Sequence, residues 1–161
     1  MDIYTREMTS NDIEEVRKIY ISGWQNAFKG IVPQDYLDHL NLDNWAPPLN
    51  GAYVLTDGKN ILGTSSISPA RDAAFEGYGE IISIYILPEL IGLGYGHILF
   101  EAVKKILLES GYKKICLSVF EENLRARNFY EKHQFSWNKE RITLNVGGKD
   151  LIELRYIFEQ E

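Results

Sequence analysis

The fold is decided by residues 80–100, which read Glu80-Ile-Ile-Ser-Ile-Tyr-Ile-Leu-Pro-Glu-Leu-Ile-Gly-Leu-Gly-Tyr-Gly-His-Ile-Leu-Phe100. The apolar, β-branched run predicts a strand, and Pro88 ends it. A glycine-rich turn follows, and the apolar spacing from His97 to Glu109 predicts a helix. Glycines let the backbone approach a ligand closely, and the free N–H groups of a first helical turn favour an anion. Strand, turn and helix in this order therefore predict a phosphate-binding site.

The spacing of the glycines distinguishes this turn from two other phosphate-binding motifs. A Rossmann fingerprint has the form G-x-G-x-x-G with an acidic residue about 20 residues further on, and a Walker loop ends in Gly-Lys-Ser/Thr. Here Gly92, Gly94 and Gly96 alternate, and no lysine follows them. A tight turn without a ligand is the alternative. Each glycine weakens a helix start by roughly 1 kcal/mol relative to alanine, so a purely structural turn would hardly need all three.

Composition indicates a globular domain that occupies residues 1–161. The net charge of −6 argues against nucleic-acid binding and mildly favours a cationic or neutral substrate. No apolar run approaches the length of a membrane span, and the polar N-terminus is unlike a signal peptide. Cys116 is the only cysteine, which favours a reducing, cytoplasmic setting. The histidines are widely scattered, so no metal site is expected.

The remaining periodicities predict a layered α/β architecture with helices on both faces of a mixed sheet. Strands are predicted at residues 2–7, 52–56, 61–68, 80–87, 113–119, 141–146 and 151–158. Helices are predicted from a Thr9 or Ser10 cap to a break at Gly30, and at residues 34–40, 97–109 and 123–133.

Two motifs in this order resemble motifs A and B of the GNAT N-acetyltransferase superfamily. The first is the frame Pro-x-x-x-Gly-x-Gly-x-Gly over residues 88–96, after a strand that ends Ile-Tyr-Ile. The second is residues 117–135, where a strand and Asn123 precede a short helix carrying Phe-Tyr-Glu-Lys. The resemblance implies a single-domain fold whose seven-stranded sheet is mostly antiparallel and has a central parallel pair that splays apart. It also implies direct acetyl transfer from acetyl-CoA to a primary amine of a small molecule or peptide.

The resemblance further implies that the splayed strands hold the cofactor. The pantetheine arm would meet the main chain of the central strand, and the pyrophosphate would meet the glycine turn. The implied cofactor-binding residues are Ile84, Tyr85, Ile86, Gly92, Leu93, Gly94, Tyr95, Gly96, His97, Asn123 and Tyr130.

Acetyl transfer to an amine has three requirements. A base must accept a proton from the amine, a hydrogen-bond donor must stabilise the oxyanion, and an acid must protonate the departing thiolate. By resemblance, Tyr130 is placed for the last role, although a buried tyrosine that only packs is the alternative. The main-chain N–H of Ile86 is implied as the oxyanion donor. Glu80, at the start of the central strand, is the candidate base, acting through water or simply binding the amine. Trp24 and Phe28 would wall the acceptor site, serve as core anchors, or do both.

Three departures from the family pattern bear on the function. Ile91 stands where the family often has Gln or Arg, which removes a polar contact to the phosphates. Gln134 replaces the usual glycine after the second helix, and because a left-handed Gln is strained, that helix is expected to end differently. Phe28 stands where Tyr is common, which removes a hydroxyl from the acceptor region. The changes at Ile91 and Gln134 suit a non-catalytic acyl-CoA-binding module of the same fold.

Four further expectations concern competing functions, the reaction route, assembly and the acceptor. A nucleotide-binding module unrelated to CoA is disfavoured by the glycine spacing. Cys116 lies in a strand with a buried pattern, so a cysteine acetyl-enzyme is not expected. The resemblance also admits a homodimer in which the final strand pairs across the interface. The loops at residues 41–50 and 69–79 show no decisive chemistry, so the acceptor stays unnamed.

Overall fold

Each predicted strand and helix is present in the computed structural model, which describes residues 2–161. Met1, the first residue of the predicted domain, lies outside the described residues. The elements in chain order are β1 (Tyr4–Glu7), α1 (Ile13–Ala27), α2 (Gln34–Asp38), β2 (Ala52–Thr56), β3 (Ile61–Pro69), β4 (Gly79–Ile86), α3 (Tyr95–Glu109), β5 (Lys114–Phe120), α4 (Leu124–Lys132), β6 (Ser136–Val146) and β7 (Lys149–Glu159). The largest difference from the prediction is at β6, which begins at Ser136 and accommodates an irregularity between Trp137 and Arg141.

The seven strands form one sheet in the order β1-β2-β3-β4-β5-β7-β6. Every neighbouring pair is antiparallel except β4 and β5, which are parallel, so the predicted mixed sheet is confirmed. The final strand, β7, lies between β5 and β6. The expectation that it pairs across a dimer is therefore wrong, because both of its edges already carry hydrogen bonds within the sheet. Within residues 2–161, no helix has both the length and the apolar character that crossing a bilayer requires.

The central parallel pair separates almost as soon as it forms. The strands pair only where Gly79 and Glu80 lie opposite Ile115 and Cys116. The register between β3 and β4 then shifts by one residue, which leaves Ile82 as an extra residue in β4. A bulge of this kind bends a strand and increases its twist. The rest of β4 therefore diverges from β5, as the predicted splay requires.

The two faces of the sheet are covered by different helices. In β2, Val54 packs in the cluster on the α1 side and Leu55 in the main core on the α3 side, because consecutive strand residues point to opposite faces. The α3 side is the larger core, in which Leu99 and Phe100 are fully buried. Burying a side chain of this size stabilises the fold by roughly 1.5–3 kcal/mol, so α3 is firmly fixed on the sheet. A rigid α3 in turn fixes the position of the turn that precedes it.

Helix α4 is followed by a residue that has a left-handed backbone conformation although it is not glycine. Gln134 has a φ of +70°, and its amide donates to the carbonyl of Glu131 at 3.0 Å. The amide of Phe135 donates to the carbonyl of Tyr130, also at 3.0 Å, which completes a Schellman motif. The expectation that this helix ends differently is therefore wrong. Phe135 is 2% exposed, and its burial in the main core offsets the strain at Gln134.

We expect the Gln134→Gly substitution to stabilise the protein by about 0.5–1 kcal/mol, because glycine adopts the left-handed conformation without strain. The measurement is the midpoint of urea unfolding at unchanged slope. Gln134→Ala is the control, since alanine loses the side chain beyond Cβ but keeps the strain that Cβ causes. Equal stability of the two variants would show that no strain is stored at this residue.

Candidate active site

A cavity of about 580 Å³ opens where β4 and β5 separate. It is lined from both faces of the sheet, by residues of α1, α4 and the strands β4 to β7. The predicted site residues among its lining are Trp24, Phe28, Glu80, Ile84, Tyr85, Asn123 and Tyr130. Ile86 and residues 92–97 lie outside its wall, so the predicted phosphate-binding turn is separate from the predicted catalytic residues.

Tyr130 presents an unused hydroxyl to the cavity. Its ring packs against Phe100 and Phe129, with centroids 5.6 Å away in each case. The hydroxyl forms no hydrogen bond with any residue from 2 to 161, and burial raises the pKa of the phenol to about 12. At neutral pH this group is therefore a fixed, neutral hydrogen-bond donor with no partner of its own.

Asn123 has a structural role that was not predicted from the sequence. It is the N-cap of α4, and its Oδ1 accepts a hydrogen bond from the amide of Ala126 at 3.2 Å. This bond satisfies one of the free amides of the first helical turn. The Nδ2 group is the part of the side chain that is left for a ligand in the cavity.

The main chain of β4 offers donors to the gap between the splayed strands. The amide of Leu87 donates to the carbonyl of Leu62 at 3.0 Å, which makes this opposing pair a hydrogen-bonded one. Such pairs alternate along an antiparallel ladder, so Tyr85 also bonds to β3, whereas the amides of Ile84 and Ile86 point away from it. The predicted main-chain contact from Tyr85 is therefore not available to a ligand. Its side chain lines the cavity instead.

The glycine turn is a cluster of unpaired amides at the start of α3. Gly92 and Gly94 have φ angles of +91° and +88°, a conformation that other residues adopt only with strain. The first helical hydrogen bond runs from the amide of Ile98 to the carbonyl of Gly94. Within the described chain, the amides of residues 92–97 donate to no acceptor. Free amides at a helix N-terminus favour an anionic ligand, as the sequence predicts.

A chain of polar side chains connects this turn to α4. Nδ1 of His97 lies 2.7 Å from Nε2 of His133, and Nδ1 of His133 bonds to the carboxylate of Glu101. Because a carboxylate only accepts, His133 donates to Glu101 and accepts from His97. Burial lowers the pKa of His133, which favours this neutral form. These contacts were not predicted from the sequence, because His133 lies 36 positions from His97 and 32 from Glu101.

Glu80, the predicted base, is held by an arginine that was not predicted as a site residue. Glu80 is 3% exposed, and its Oε2 accepts from Nη2 of Arg71 at 2.7 Å. Its Oε1 accepts from both the main-chain amide and Nε of Arg71, at 3.0 and 3.3 Å. Glu80 in turn raises the pKa of the Arg71 guanidinium. Both carboxylate oxygens are thus engaged, and Glu80 lies in the cavity as half of an ion pair.

A second ion pair lies beside the first. Nη2 of Arg155 on β7 donates to Oδ2 of Asp72 at 3.1 Å, and the guanidinium lies 5.4 Å from the centre of the Phe75 ring. The loop at residues 69–79 shows no decisive chemistry in sequence, yet it supplies Arg71 and Asp72 to the cavity. Their partners, Glu80 and Arg155, lie on strands of the sheet, so no local sequence pattern could reveal these two ion pairs.

Trp24 and Phe28 both pack in a core and line the cavity. Their ring centroids are 4.9 Å apart, and Phe28 is 5.1 Å from Phe120 of β5. They pack against a small cluster of buried residues while forming part of the cavity wall, so the two roles expected from the sequence are compatible. Their contact with a substrate stays a prediction.

Residues 13–135 match the Acetyltransferase (GNAT) family. The chain belongs to this family. It is similar to YuaI, an uncharacterised N-acetyltransferase of Bacillus subtilis, with 33% identity over 128 residues that cover 75% of this chain and 73% of the relative. The GNAT fold is also that of PaiA N-acetyltransferase from Thermoplasma acidophilum, solved with coenzyme A, at a TM-score of 0.74, 19% identity and 99% coverage of both chains. The structure of yncA from Salmonella typhimurium, solved with acetyl-CoA, has a TM-score of 0.74 at 12% identity and covers 100% of this chain and 95% of its own.

Membership of the GNAT family confirms the resemblance and the prediction of an acyltransferase. The family uses acetyl-CoA as its acyl donor, which confirms the predicted cofactor class. The match ends at Phe135, so Glu153 and Arg155, which line the cavity from β7, lie beyond it.

We expect the Gly94→Trp substitution to weaken acetyl-CoA binding at least about tenfold, because the indole would cover the free amides of the turn. Gly111→Trp, at the other end of α3, is the matched control. Both glycines have positive φ, and a Cβ atom added to either would have no other atom within 4 Å, so both variants carry the same backbone strain. Isothermal titration with acetyl-CoA is the measurement. Similar losses in the two variants would mean that strain, rather than a blocked phosphate site, lowers the affinity.

Proposed function

We propose that this GNAT protein transfers the acetyl group of acetyl-CoA to a primary amine of a small molecule or peptide, directly within a ternary complex. The observation that carries the proposal is the hydroxyl of Tyr130, which is neutral and has no hydrogen-bond partner among residues 2–161. It faces a cavity whose two sides have different linings. The main chain of β4 at Ile84, whose amide is unpaired within the described chain, lies on one side, and charged and aromatic side chains lie on the other. This arrangement suits a thioester that enters from one side and an amine that enters from the other.

The cofactor would occupy the gap between β4 and β5. We assign its pyrophosphate to the amides of residues 92–97 and its pantetheine arm to the amides of Ile84 and Ile86. Nδ2 of Asn123 would donate to the same arm. PaiA and yncA, which share this fold, were solved with coenzyme A and acetyl-CoA respectively, and this supports the assignment of the gap to the cofactor.

The chemistry follows from the groups around the thioester. The amine nitrogen attacks the carbonyl carbon, and the developing oxyanion accepts a hydrogen bond from the amide of Ile86. Collapse of the tetrahedral intermediate breaks the carbon–sulfur bond, and the departing thiolate takes the proton of Tyr130. Before the attack, the ammonium has lost one proton through water to Glu80, since Arg71 occupies the carboxylate directly, so that the neutral amine is the nucleophile. The nitrogen loses its second proton to solvent as the intermediate collapses, and Glu80 releases its proton to solvent. Solvent then returns a proton to the tyrosine.

A covalent cysteine intermediate fits this chain poorly. Cys116 is 1% exposed, and burial raises the pKa of its thiol to about 11. A thiol, rather than a thiolate, is therefore present at neutral pH, and thiols are weak nucleophiles. Direct transfer is the route that the remaining groups support.

We expect Tyr130→Phe to lower kcat at least about tenfold while KM for acetyl-CoA changes little, because only the departing thiolate uses the hydroxyl. A phenol with a pKa of about 12 stays protonated throughout the range from pH 6 to pH 10, so the loss should be the same at each pH. Release of free thiol in the presence of amines is the measurement. The control is Tyr4→Phe, which removes a hydroxyl from an exposed residue of β1. Unchanged kcat in Tyr130→Phe would remove the tyrosine from the mechanism.

A non-catalytic acyl-CoA sensor of the same fold is the second candidate function. It is favoured by Ile91, which offers no polar group to the phosphates, and by the engagement of Glu80 with Arg71. Binding of acetyl-CoA without thiol release in a broad amine screen would select it.

Two further proposals concern the setting. A single buried cysteine suits a reducing compartment, and we therefore place the protein in the cytoplasm, with residues 1–161 as one catalytic domain. A homodimer stays a prediction. The strands at the two ends of the sheet, β1 and β6, are those with an edge available to a second copy.

A further inference from the structure

The acceptor side of the cavity contains one carboxylate whose charge is not compensated. Arg71 is paired with Glu80, and Arg155 is paired with Asp72. Glu153, on the same wall, forms no hydrogen bond or ion pair with any residue from 2 to 161. The two ion pairs are each neutral, so the remaining charge on this wall is the single negative charge of Glu153.

The sheet directs Glu153 into the cavity. It lies opposite Phe120 of β5, and the next residue, Leu154, is fully buried in the main core on the other face. Glu153 is half-buried, so its carboxylate has lost part of its hydration. The hydrogen bond with Glu80 is the main cause that raises the pKa of the Arg71 guanidinium, and the charge of Glu153 adds to it, although Glu153 forms no hydrogen bond with Arg71. A partly desolvated carboxylate without a partner favours a cationic ligand.

Apolar side chains complete the same part of the cavity. They come from α1, β5 and β6, and they are Trp24, Phe28, Phe120, Leu144 and Val146. The aromatic rings contact one another edge to face, which gives the wall a fixed shape. An acceptor that bound here would place an apolar body against these residues and a positive group at Glu153.

We propose that Glu153 binds the ammonium of the acceptor, and that the acceptor is a primary amine with an apolar or aromatic body. The inference rests on the proposed acetyl transfer at this cavity and adds the class of its substrate. An ammonium donates up to three hydrogen bonds and neutralises the unpaired charge. Glu153 thus selects the amine, and Glu80 receives its proton through water.

The test measures amine binding without chemistry. Calorimetric titration of 2-phenylethylamine into protein saturated with CoA compares the wild type with Glu153→Gln and Glu140→Gln. Glutamine keeps the shape of the side chain and removes the charge. Glu140 is an exposed residue of the neighbouring strand β6 outside the cavity, so Glu140→Gln removes the same charge from the molecule as a whole. We expect Glu153→Gln to weaken binding about tenfold or more and Glu140→Gln to leave it unchanged.

An uncharged analogue of the probe separates loss of charge from loss of folding. Binding of 2-phenylethanol, which lacks the charge, should be the same in wild type and Glu153→Gln, whereas a folding defect would lower it in the variant. Undetectable binding of the amine to wild type, or equal binding of the amine in Glu153→Gln, would overturn the inference. Amine binding without thiol release on addition of acetyl-CoA would instead refute the proposed transfer and leave the role of Glu153 intact.

Discussion

The early separation of β4 from β5 is the constraint on which the rest of the structure depends. Two parallel strands that stayed paired would use the amides of Ile84 and Ile86 in the ladder, and no cavity would form between them. The pairing stops after Glu80, and the extra residue at Ile82 bends β4 away. One local irregularity thus creates both the space for a ligand and the free donors that face it. The helices α1 and α4 then border the opening from opposite faces of the sheet.

Four of the charged residues in the opening form two ion pairs. Glu80 is almost fully buried, which would be strongly unfavourable without the guanidinium of Arg71. The pair between Asp72 and Arg155 has a comparable effect and also ties the loop before β4 to β7. We regard these ion pairs as determinants of position more than of stability, because desolvation offsets most of the attraction between buried charges. Their neutrality is what makes the single charge of Glu153 distinctive.

The sequence was most informative where the chemistry is local. The glycine turn, the strand before it and the helix after it lie within residues 80–100, and their spacing alone indicated a phosphate site. The acceptor side could not be predicted in this way, because Asp72 and Arg155 are separated by 83 positions and meet only through the strand order. Gln134 shows that a local sequence rule can also fail. A local rule predicted a different helix end, but burial of Phe135 outweighs the strain of one residue.

The position of β7 has a consequence for the order in which a growing chain can fold. β5 shares only two residue pairs with β4, whereas β7 pairs with all of it from Lys114 to Phe120. While the C-terminal hairpin is still inside the ribosome, β5 therefore presents a long apolar edge with almost no hydrogen-bonded neighbour. Exposed edges of this kind invite pairing with other chains. β7, which completes the sheet, is the last of the seven strands to leave the ribosome, so the nascent domain is most in need of a chaperone before β7 has emerged.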